Sequence, residues 1–248
     1  MALIEVHNIK KRYNRRLVVD DVSFSVEQGD VIGFIGANGA GKSTLMGMIV
    51  TLVKPTFGSI LYKENNIVKN PSAIRGSIGY VPQDIALYQE LTGIDNLKYW
   101  ARTYHIKKER YKESLERVKD IIGLDDMSLK RKVVTYSGGM KRRLNIGIAL
   151  LNNPEVIVMD EPTVGIDIIS KQEILQVIKQ LNNEGKTILY TAHDFEEIEQ
   201  ICNKLCIINE GKIVEFVDIK NIIGEEPSNI NKLTQYYLQK FQGNKSIS

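Results

Sequence analysis

Residues 36–43 contain the feature that most constrains this chain, a glycine-rich run of sequence GANGAGKS. The run fits the phosphate-binding P-loop pattern G-x-x-x-x-G-K-[ST]. Apolar residues 31–35 precede it and helix-like residues 44–50 follow it, which is the strand–loop–helix context that the pattern needs. Its glycines let successive backbone N–H groups turn toward phosphate oxygens, and the positive end of the next helix points to the same place. The run therefore predicts a nucleotide site, with an ordinary glycine-rich turn as the alternative.

The motif also assigns roles within this loop. Lys42 is expected to reach the β- and γ-phosphates, where neutralising charge assists catalysis, and Ser43 is expected to offer its hydroxyl to Mg²⁺. The predicted nucleotide-binding residues share the loop and the first turn of the next helix: Gly36, Ala37, Asn38, Gly39, Ala40, Gly41, Lys42, Ser43 and Thr44.

Composition narrows the class of protein. A chain of 248 residues with 43% hydrophobic and 25% charged residues suits one large globular domain, or a core with a subdomain. The net charge of +3 is too small to indicate nucleic-acid binding, and the clusters 10–12 and 141–143 are expected to be solvated faces. No run reaches the roughly 18 apolar residues of a membrane span, and the N-terminal residues lack a signal-peptide pattern. We expect a cytoplasmic protein.

Cysteine and histidine spacing predicts no metal site. Cys202 and Cys206 are four residues apart, so we expect them to share a helix face as reduced core thiols. His7, His105 and His193 have no metal-ligand spacing.

Strand patterns alternate with helix patterns around the P-loop, which predicts an α/β fold with a mainly parallel sheet. Residues 3–26 alternate as an antiparallel β portion, and residues 156–159 and 187–190 are typical of buried parallel strands. The next helix is expected over residues 170–181, with Ser170 as its N-cap.

A different pattern occupies the middle of the chain. Apolar residues at helical spacing between 91 and 123 predict an inserted helical subdomain. A short amphipathic helix is expected over residues 232–241, with a frayed end at 243–248. The predicted division of the single 1–248 domain is a P-loop NTPase core of 1–83 and 151–224, a helical subdomain of 84–150 and a C-terminal helical tail of 225–248.

Two acidic residues follow the apolar strand pattern at 156–159, and these are Asp160 and Glu161. The carboxyl ends of strands are where α/β sheets collect ligands. Asp160 is expected to hold Mg²⁺ and Glu161 to face the attacking water as a general base. An ordinary strand end is the alternative.

A second anion-site pattern lies at Ser137, Gly138 and Gly139, which open the helical run 141–151. A hydroxyl, bare N–H groups and a helix N-terminus suit phosphate, although a simple N-cap has the same composition. One nucleotide hardly needs two such helix ends, so the second is expected to serve the nucleotide of another subunit.

These motifs, in this order, resemble the nucleotide-binding subunit of ATP-binding-cassette (ABC) transporters over residues 1–220. The resemblance implies a Walker A motif at 36–43, a Walker B motif ending in Asp160 and Glu161, and a family signature at 137–139. It further implies the roles of four single residues: Gln83 as a ligand of Mg²⁺ and the attacking water, Asp167 of the D-loop, His193 as the switch histidine at the γ-phosphate, and Tyr13 as the aromatic against adenine. Tyr13 could equally be a half-exposed strand residue, Gln83 a loop residue and His193 a helix cap.

The resemblance also implies cofactors and partners. The cofactors are ATP and Mg²⁺, and two ATPs are enclosed by a head-to-tail dimer with the same or a different ATPase subunit. Separate integral membrane subunits carry the substrate, which places the chain at the cytoplasmic face of the membrane. They insert a short helix into a groove beside Gln83, here near 84–88, Tyr99 and Trp100, unless those aromatic residues pack the subdomain core. No nucleic-acid partner is expected.

Tyr136 and Met140 depart from the Leu and Gln that usually flank the family signature. Together with residues 161–165 they resemble the drug- and lipid-exporting branch, including daunorubicin-resistance-type ATPases, which implies export. The alternatives are an ABC ATPase of translation or DNA repair without a membrane partner, and a regulator that binds ATP without cleaving it. One cassette with a short insert argues against the first, and the presence of Glu161 and His193 argues against the second.

Overall fold

Two β-sheets organise the chain in the computed structural model, which describes residues 2–224 and 231–242. Within those residues, an antiparallel sheet has four strands in the order β2-β1-β4-β5. These strands are β1 (Ile4–Tyr13), β2 (Arg16–Val26), β4 (Phe57–Tyr62) and β5 (Asn65–Asn66). The predicted antiparallel N-terminal portion is confirmed, and Gly29 has the positive φ of a tight turn after β2.

The second sheet carries the P-loop. In the described part of the chain it has six strands in the order β10-β9-β3-β8-β7-β6, and its pairs are parallel except for β10 with β9. Its strands are β3 (Val31–Ile35), β6 (Ile78–Val81), β7 (Val156–Asp160), β8 (Thr187–Thr191), β9 (Lys204–Asn209) and β10 (Lys212–Asp218). Every residue of β3, β7 and β8 is buried, so the predicted parallel strands are confirmed.

Apolar layers cover both faces of this sheet. Along β7, Val156 and Val158 pack into one cluster with α1 (Lys42–Ile49) and the antiparallel sheet, whereas Ile157 and Met159 pack into the other. Alternate residues of a strand point to opposite faces, so a strand covered on both sides is apolar throughout. The described helices besides α1 are α2 (Ser72–Arg75), α3 (Gly93–Thr103), α4 (Lys108–Ile122), α5 (Asp126–Leu129), α6 (Gly138–Leu150), α7 (Ile168–Asn183), α8 (Phe195–Ile201), α9 (Lys220–Ile223) and α10 (Asn231–Gln242), with a 3₁₀ turn at Val133–Thr135.

The helices α3 to α6 follow one another between β6 and β7, as the helical pattern of the middle segment predicts. The predicted helix at 232–241 is confirmed as α10, whereas the expected fraying of 243–248 lies outside the described residues.

Three local predictions are wrong. Asp167, not Ser170, caps α7, because its side chain accepts the Ser170 N–H. Cys202 and Cys206 do not share a helix face: Cys202 follows the last residue of α8, and Cys206 lies within β9. The third is the expected solvated face at 141–143, because Arg142 is buried.

Candidate functional site

The P-loop runs from the end of β3 into α1 and is held close to the strands around it. A Cβ on Gly36 would lie 2.1 Å from the Ile208 carbonyl oxygen, so only glycine fits there. Gly41 has φ +107° and forms the N-cap of α1 without a side chain. This backbone leaves the first N–H groups of α1 without side-chain caps, which is the arrangement that favours an anion at a helix N-terminus.

Lys42 is oriented by the loop itself. Only 5% of the residue is exposed, and Nζ donates to the Gly36 oxygen at 2.7 Å and more weakly to the Ala37 oxygen at 3.4 Å. Burial lowers the pKa of Lys42, while the negative charges of Glu161 and Asp160 act in the opposite direction. A buried ammonium with two carbonyl partners is under-compensated, so phosphate oxygens are suitable ligands for it.

The strand end carries the acidic pair, as predicted. Thr191, at the end of neighbouring β8, donates from Oγ1 to Asp160 Oδ1 at 2.7 Å and accepts the Glu161 N–H at 2.8 Å. Glu161 has φ +49°, a left-handed conformation that is uncommon outside glycine. Asp160 and Glu161 are both buried.

Gln83 and His193 converge on Glu161. Gln83 Nε2 donates to Glu161 Oε2 at 2.8 Å, and His193 Nε2 lies 2.6 Å from Glu161 Oε1. Asp194 caps α8, so the alternative that His193 serves as a cap does not apply. One carboxylate is therefore contacted by groups from two loops.

A cavity of about 530 Å³ brings these elements together. Its lining includes most of the P-loop and the three converging side chains, namely Asn38, Gly39, Ala40, Gly41, Lys42, Ser43, Thr44, Gln83, Glu161 and His193, together with Val18 and Val164. The lining combines backbone N–H groups, an ammonium, a hydroxyl and a carboxylate, which can bind a polyphosphate and orient a water for attack on it.

Other predicted residues lie away from this lining. Ser137 caps α6, with Oγ accepting the Met140 N–H at 3.2 Å. Both oxygens of Asp167 are engaged by Ser170, and these hydrogen bonds hold the pKa of Asp167 below its usual value. Tyr13 is 45% exposed at the end of β1, with Lys11 Nζ 4.8 Å from the ring centroid.

The Tyr13 end of β1 still lies near the P-loop. Tyr13 pairs with Arg16 across the hairpin, and Arg16 Nη2 would be 3.9 Å from a Cβ on Gly39. The exposed Tyr13 ring is itself outside the cavity lining, and an exposed aromatic ring can stack on a base.

The basic cluster 141–143 is not a solvated face, which corrects the sequence interpretation. Arg142 is 4% exposed, and Nη1 donates to the main-chain oxygens of Gln83 at 2.8 Å and Pro82 at 3.1 Å. Arg143 Nη2 forms an ion pair with Glu173 at 3.3 Å. The signal was available: Arg142 and Arg143 lie on a helix whose next residues are apolar, and long basic side chains bury their stems.

An apolar groove of about 460 Å³ lies between the sheet and the helices of the middle segment. Trp100, Tyr104, Leu52 and Asn145 are among the residues that line it. Trp100 Nε1 and Asn145 Nδ2 are buried and, within the described residues, have no hydrogen-bond partner. Trp100 also packs against the subdomain core, and its ring contacts those of Tyr99 and Tyr104.

The residues assigned to Mg²⁺ supply oxygen donors of the right kind. Ser43 has a hydroxyl, Gln83 an amide and Asp160 a carboxylate, and Mg²⁺ in nucleotide sites uses one or two such ligands plus phosphates and water. The part of the chain that the structure describes has no cluster of three or more His, Cys, Asp or Glu side chains suited to a metal.

Comparison with known families identifies the family of the chain. The family model described as ABC transporter matches residues 19–164, more than half of the chain. The chain belongs to the ABC transporter family, and within it this chain is an ATP-binding subunit that hydrolyses ATP. None of the helices in the described ranges has the length and apolar character of a membrane span.

Individual relatives share most of the chain. The linearmycin resistance ATP-binding protein LnrL of Bacillus subtilis is 43% identical over 212 residues, covering 86% of this chain and 68% of that protein. The Nod factor export ATP-binding protein I of Cupriavidus metallidurans is 34% identical over 211 residues, covering 85% of this chain and 69% of that protein. A solved dimeric ATP-binding cassette in a post-hydrolysis state with ADP and Pi has 25% identity and a TM-score of 0.78, covering 87% of this chain and 98% of that one. The α/β P-loop fold is thus confirmed.

Proposed function

We propose that this chain closes head to tail with a second ATPase subunit over two ATPs and thereby drives export through separate membrane subunits. The observation that carries the proposal is the cavity in which the P-loop meets Gln83, Glu161 and His193. Phosphoryl transfer needs positioning and charge neutralisation more than covalent chemistry, and this lining offers both.

Each site residue has a distinct part in the proposed reaction. Lys42 and the N–H groups of residues 36–44 hold the phosphates, and Tyr13 stacks on the adenine. Glu161 is the general base, because it is buried beside Lys42 in the cavity and its oxygens are held by Gln83 and His193. When ATP is bound, the γ-phosphate replaces Glu161 as the partner of His193 Nε2.

Ser43, Gln83 and Asp160 are proposed to hold Mg²⁺ together with the nucleotide phosphates. The ion supplies charge neutralisation at the phosphates when it is bound. Gln83 and Asp160 are already positioned by Glu161 and Thr191, so the donors need little rearrangement.

Ser137, Gly138, Gly139 and Asp167 are proposed to act across the dimer interface. They lie outside the lining of the chain's own cavity, at the N-termini of α6 and α7. Helix N-termini favour anions, so the α6 end suits the γ-phosphate of the opposite subunit. The dimeric state described for the solved cassette supports this arrangement for a related protein.

The groove beside Trp100 and Asn145 is proposed to receive a short helix of the membrane subunit. Its lining is mainly apolar. An apolar face of that helix would bury this lining, and burial of apolar surface is favourable. Docking of that kind places the chain at the cytoplasmic face of the membrane.

We further propose the domain division given by the sequence, with a core of 1–83 and 151–224, a helical subdomain of 84–150 and a tail of 225–248. The consecutive placement of α3 to α6 between β6 and β7 supports it. Export is supported by the resemblance to the drug- and lipid-exporting branch and by the similarity to a Nod factor export ATP-binding protein.

Glu161→Gln tests the catalytic part of the proposal. The variant keeps the shape of the site but cannot accept a proton, so it should bind ATP, lose turnover by about 10²-fold or more and accumulate as a dimer. Turnover and light scattering with saturating MgATP measure both effects. Glu64→Gln, at an exposed carboxylate, is the control with the same chemical change and should behave as wild type. A monomer with undiminished turnover would contradict the proposal.

Leu52→Glu tests the membrane partner. Leu52 lines the groove and is 70% exposed, so a charge there blocks docking without disturbing the core. Tagged chain purified from solubilised native membranes should bring down a polytopic membrane protein in stoichiometric amount, and the variant should lose it. Met127→Glu, 79% exposed on α5, is the matched control. Recovery only from the soluble fraction with ribosomal or DNA-associated proteins would contradict the transport proposal.

A further inference from the structure

Glu197 is a buried carboxylate that lies at the junction of three segments. It is on α8, four residues after His193, and is 5% exposed. Its Oε2 accepts hydrogen bonds from Thr163 Oγ1 at 2.7 Å and from the Tyr190 hydroxyl, and its Oε1 lies 2.9 Å from Lys171 Nζ. The three partners come from the loop after β7, from β8 and from α7.

Lys171 extends the network to the residue next to His193. Its Nζ also donates to Asp194 Oδ2 at 2.5 Å. Burial acts to lower the pKa of Lys171, but hydrogen bonds and charge from Asp194 and Glu197 outweigh burial and raise it. Lys171 therefore carries its charge between two carboxylates of α8.

These hydrogen bonds fix residues close in sequence to both partners of the Glu161–His193 contact. Thr163 is two residues after Glu161, and Asp194 is one residue after His193. Glu161 has φ +49°, an uncommon conformation for a residue with a side chain, which at a functional site is maintained by the surrounding structure. Thr191 Oγ1 accepts the Glu161 N–H on one side, and Thr163 is fixed to Glu197 on the other.

The fold alone does not require a charge at this place. Burying a carboxylate is unfavourable unless it is fully paired, and an apolar side chain of the same size commonly gives equal or greater stability. Glu197 is compensated by two hydroxyls and an ammonium, all three directed at it from segments that flank the cavity.

We propose that Glu197 is a positioning residue, which fixes Glu161 through Thr163 and His193 through Lys171 and Asp194 in the geometry needed for hydrolysis. The inference rests on the proposed roles of Glu161 and His193. It assigns Glu197 to turnover and not to ATP binding, because neither Glu197 nor Thr163 lines the nucleotide cavity.

Two variants test the inference, with ATP affinity and turnover measured separately. Glu197→Gln should lower kcat by about tenfold or more and leave the Kd for ATP within about twofold. Glu196→Gln is the matched control, since it makes the same change at the exposed neighbouring residue of α8 and should leave kcat unchanged.

Thr163→Val keeps the test decisive if Glu197→Gln does not fold. It removes one hydroxyl at nearly constant volume and leaves Glu197 paired with Lys171 and Tyr190. We expect kcat to fall by about tenfold with unchanged ATP affinity, and Thr163→Ser, which keeps the hydroxyl, to restore most of the turnover.

Three results would overturn the inference. The first is an unchanged kcat in folded Thr163→Val or Glu197→Gln. The second is loss of ATP affinity in parallel with kcat, and the third is an equal loss in Thr163→Ser. Failure of the proposed function is distinguishable, because Glu161→Gln would then retain turnover whatever Glu197→Gln does.

Discussion

Arg142 Nη1 donates to the main-chain oxygen of Gln83 at 2.8 Å, which joins the first turns of α6 to the loop that contacts Glu161. The same Nη1 reaches the Pro82 oxygen at 3.1 Å. Ser137, proposed to act on the nucleotide of the opposite subunit, is five residues before Arg142 on the same helix. Arg142 therefore links the N-terminal part of α6 to the loop at Gln83 within one subunit.

Arg142→Met should destabilise the chain and slow hydrolysis. The substitution keeps the apolar stem but leaves two carbonyl oxygens without their charged donor, so we expect the free energy of unfolding to fall by about 2–4 kcal/mol. Urea unfolding and steady-state ATPase assays measure the two effects. Lys141→Met, on the adjacent less buried side chain, should change neither by much; equal effects of the two substitutions would contradict a role for the Arg142 hydrogen bonds.

Gly139→Ala should disturb the contact between α6 and α7, whereas Gly138→Ala should not. A Cβ on Gly139 would lie 2.1 Å from Ser170 Oγ and 2.4 Å from Ser170 Cβ, but the nearest atom to a Cβ on Gly138 is at 3.5 Å. Overpacking of this kind costs about 1–3 kcal/mol, which thermal or urea unfolding resolves. Ser170→Gly removes both clashing atoms and should recover part of the loss in the double variant. Equal stability of the two alanine variants would show that Ser170 moves aside freely.

Acid should weaken the link between the two sheets at Glu155. Burial raises the pKa of Glu155, but Lys63 and Tyr62 outweigh it and lower the pKa overall; their contacts are 2.7 Å and 2.6 Å long. A carboxyl with a lowered folded pKa contributes stability above its unfolded value, near 4.5, and loses it as the pH falls through the folded value. The stability difference between wild type and Glu155→Gln should therefore shrink below about pH 4.5. A difference that stays constant from pH 6 to pH 3.5 would contradict this reasoning.

The sequence predicts the parts of this fold that depend on local pattern. The strands β7 and β8 are apolar throughout because they are covered on both faces, and the P-loop pattern at 36–43 needs no distant information. The sequence does not distinguish Asp167 from Ser170, three residues later, as the cap of α7, because both side chains suit an N-cap. The apolar residues after Arg142 indicate that its stem is buried, but its hydrogen-bond acceptors and the strand position of Cys206 depend on tertiary packing. Arg142 bonds residues about 60 positions away, and Cys206 pairs with Phe34 across β9 and β3. Periodicity carries no record of such contacts.

Lys42→Met should abolish tight ATP binding while preserving the fold. Nζ is already held by the Gly36 oxygen at 2.7 Å, so its ammonium is pre-oriented at the mouth of the loop, and removing it takes away the main positive charge in the cavity. Burial of the wild-type ammonium is itself unfavourable, which its lowered pKa reports. The hydrogen bond lost at the Gly36 oxygen opposes that gain, so the variant without nucleotide should be about as stable as wild type, and its Kd for ATP should rise by about tenfold or more. Calorimetric titration with ATP and thermal unfolding without it measure the two quantities. If the variant is markedly less stable without nucleotide, Lys42 serves the fold of the loop as well as the phosphates, and undiminished ATP affinity would remove its proposed role.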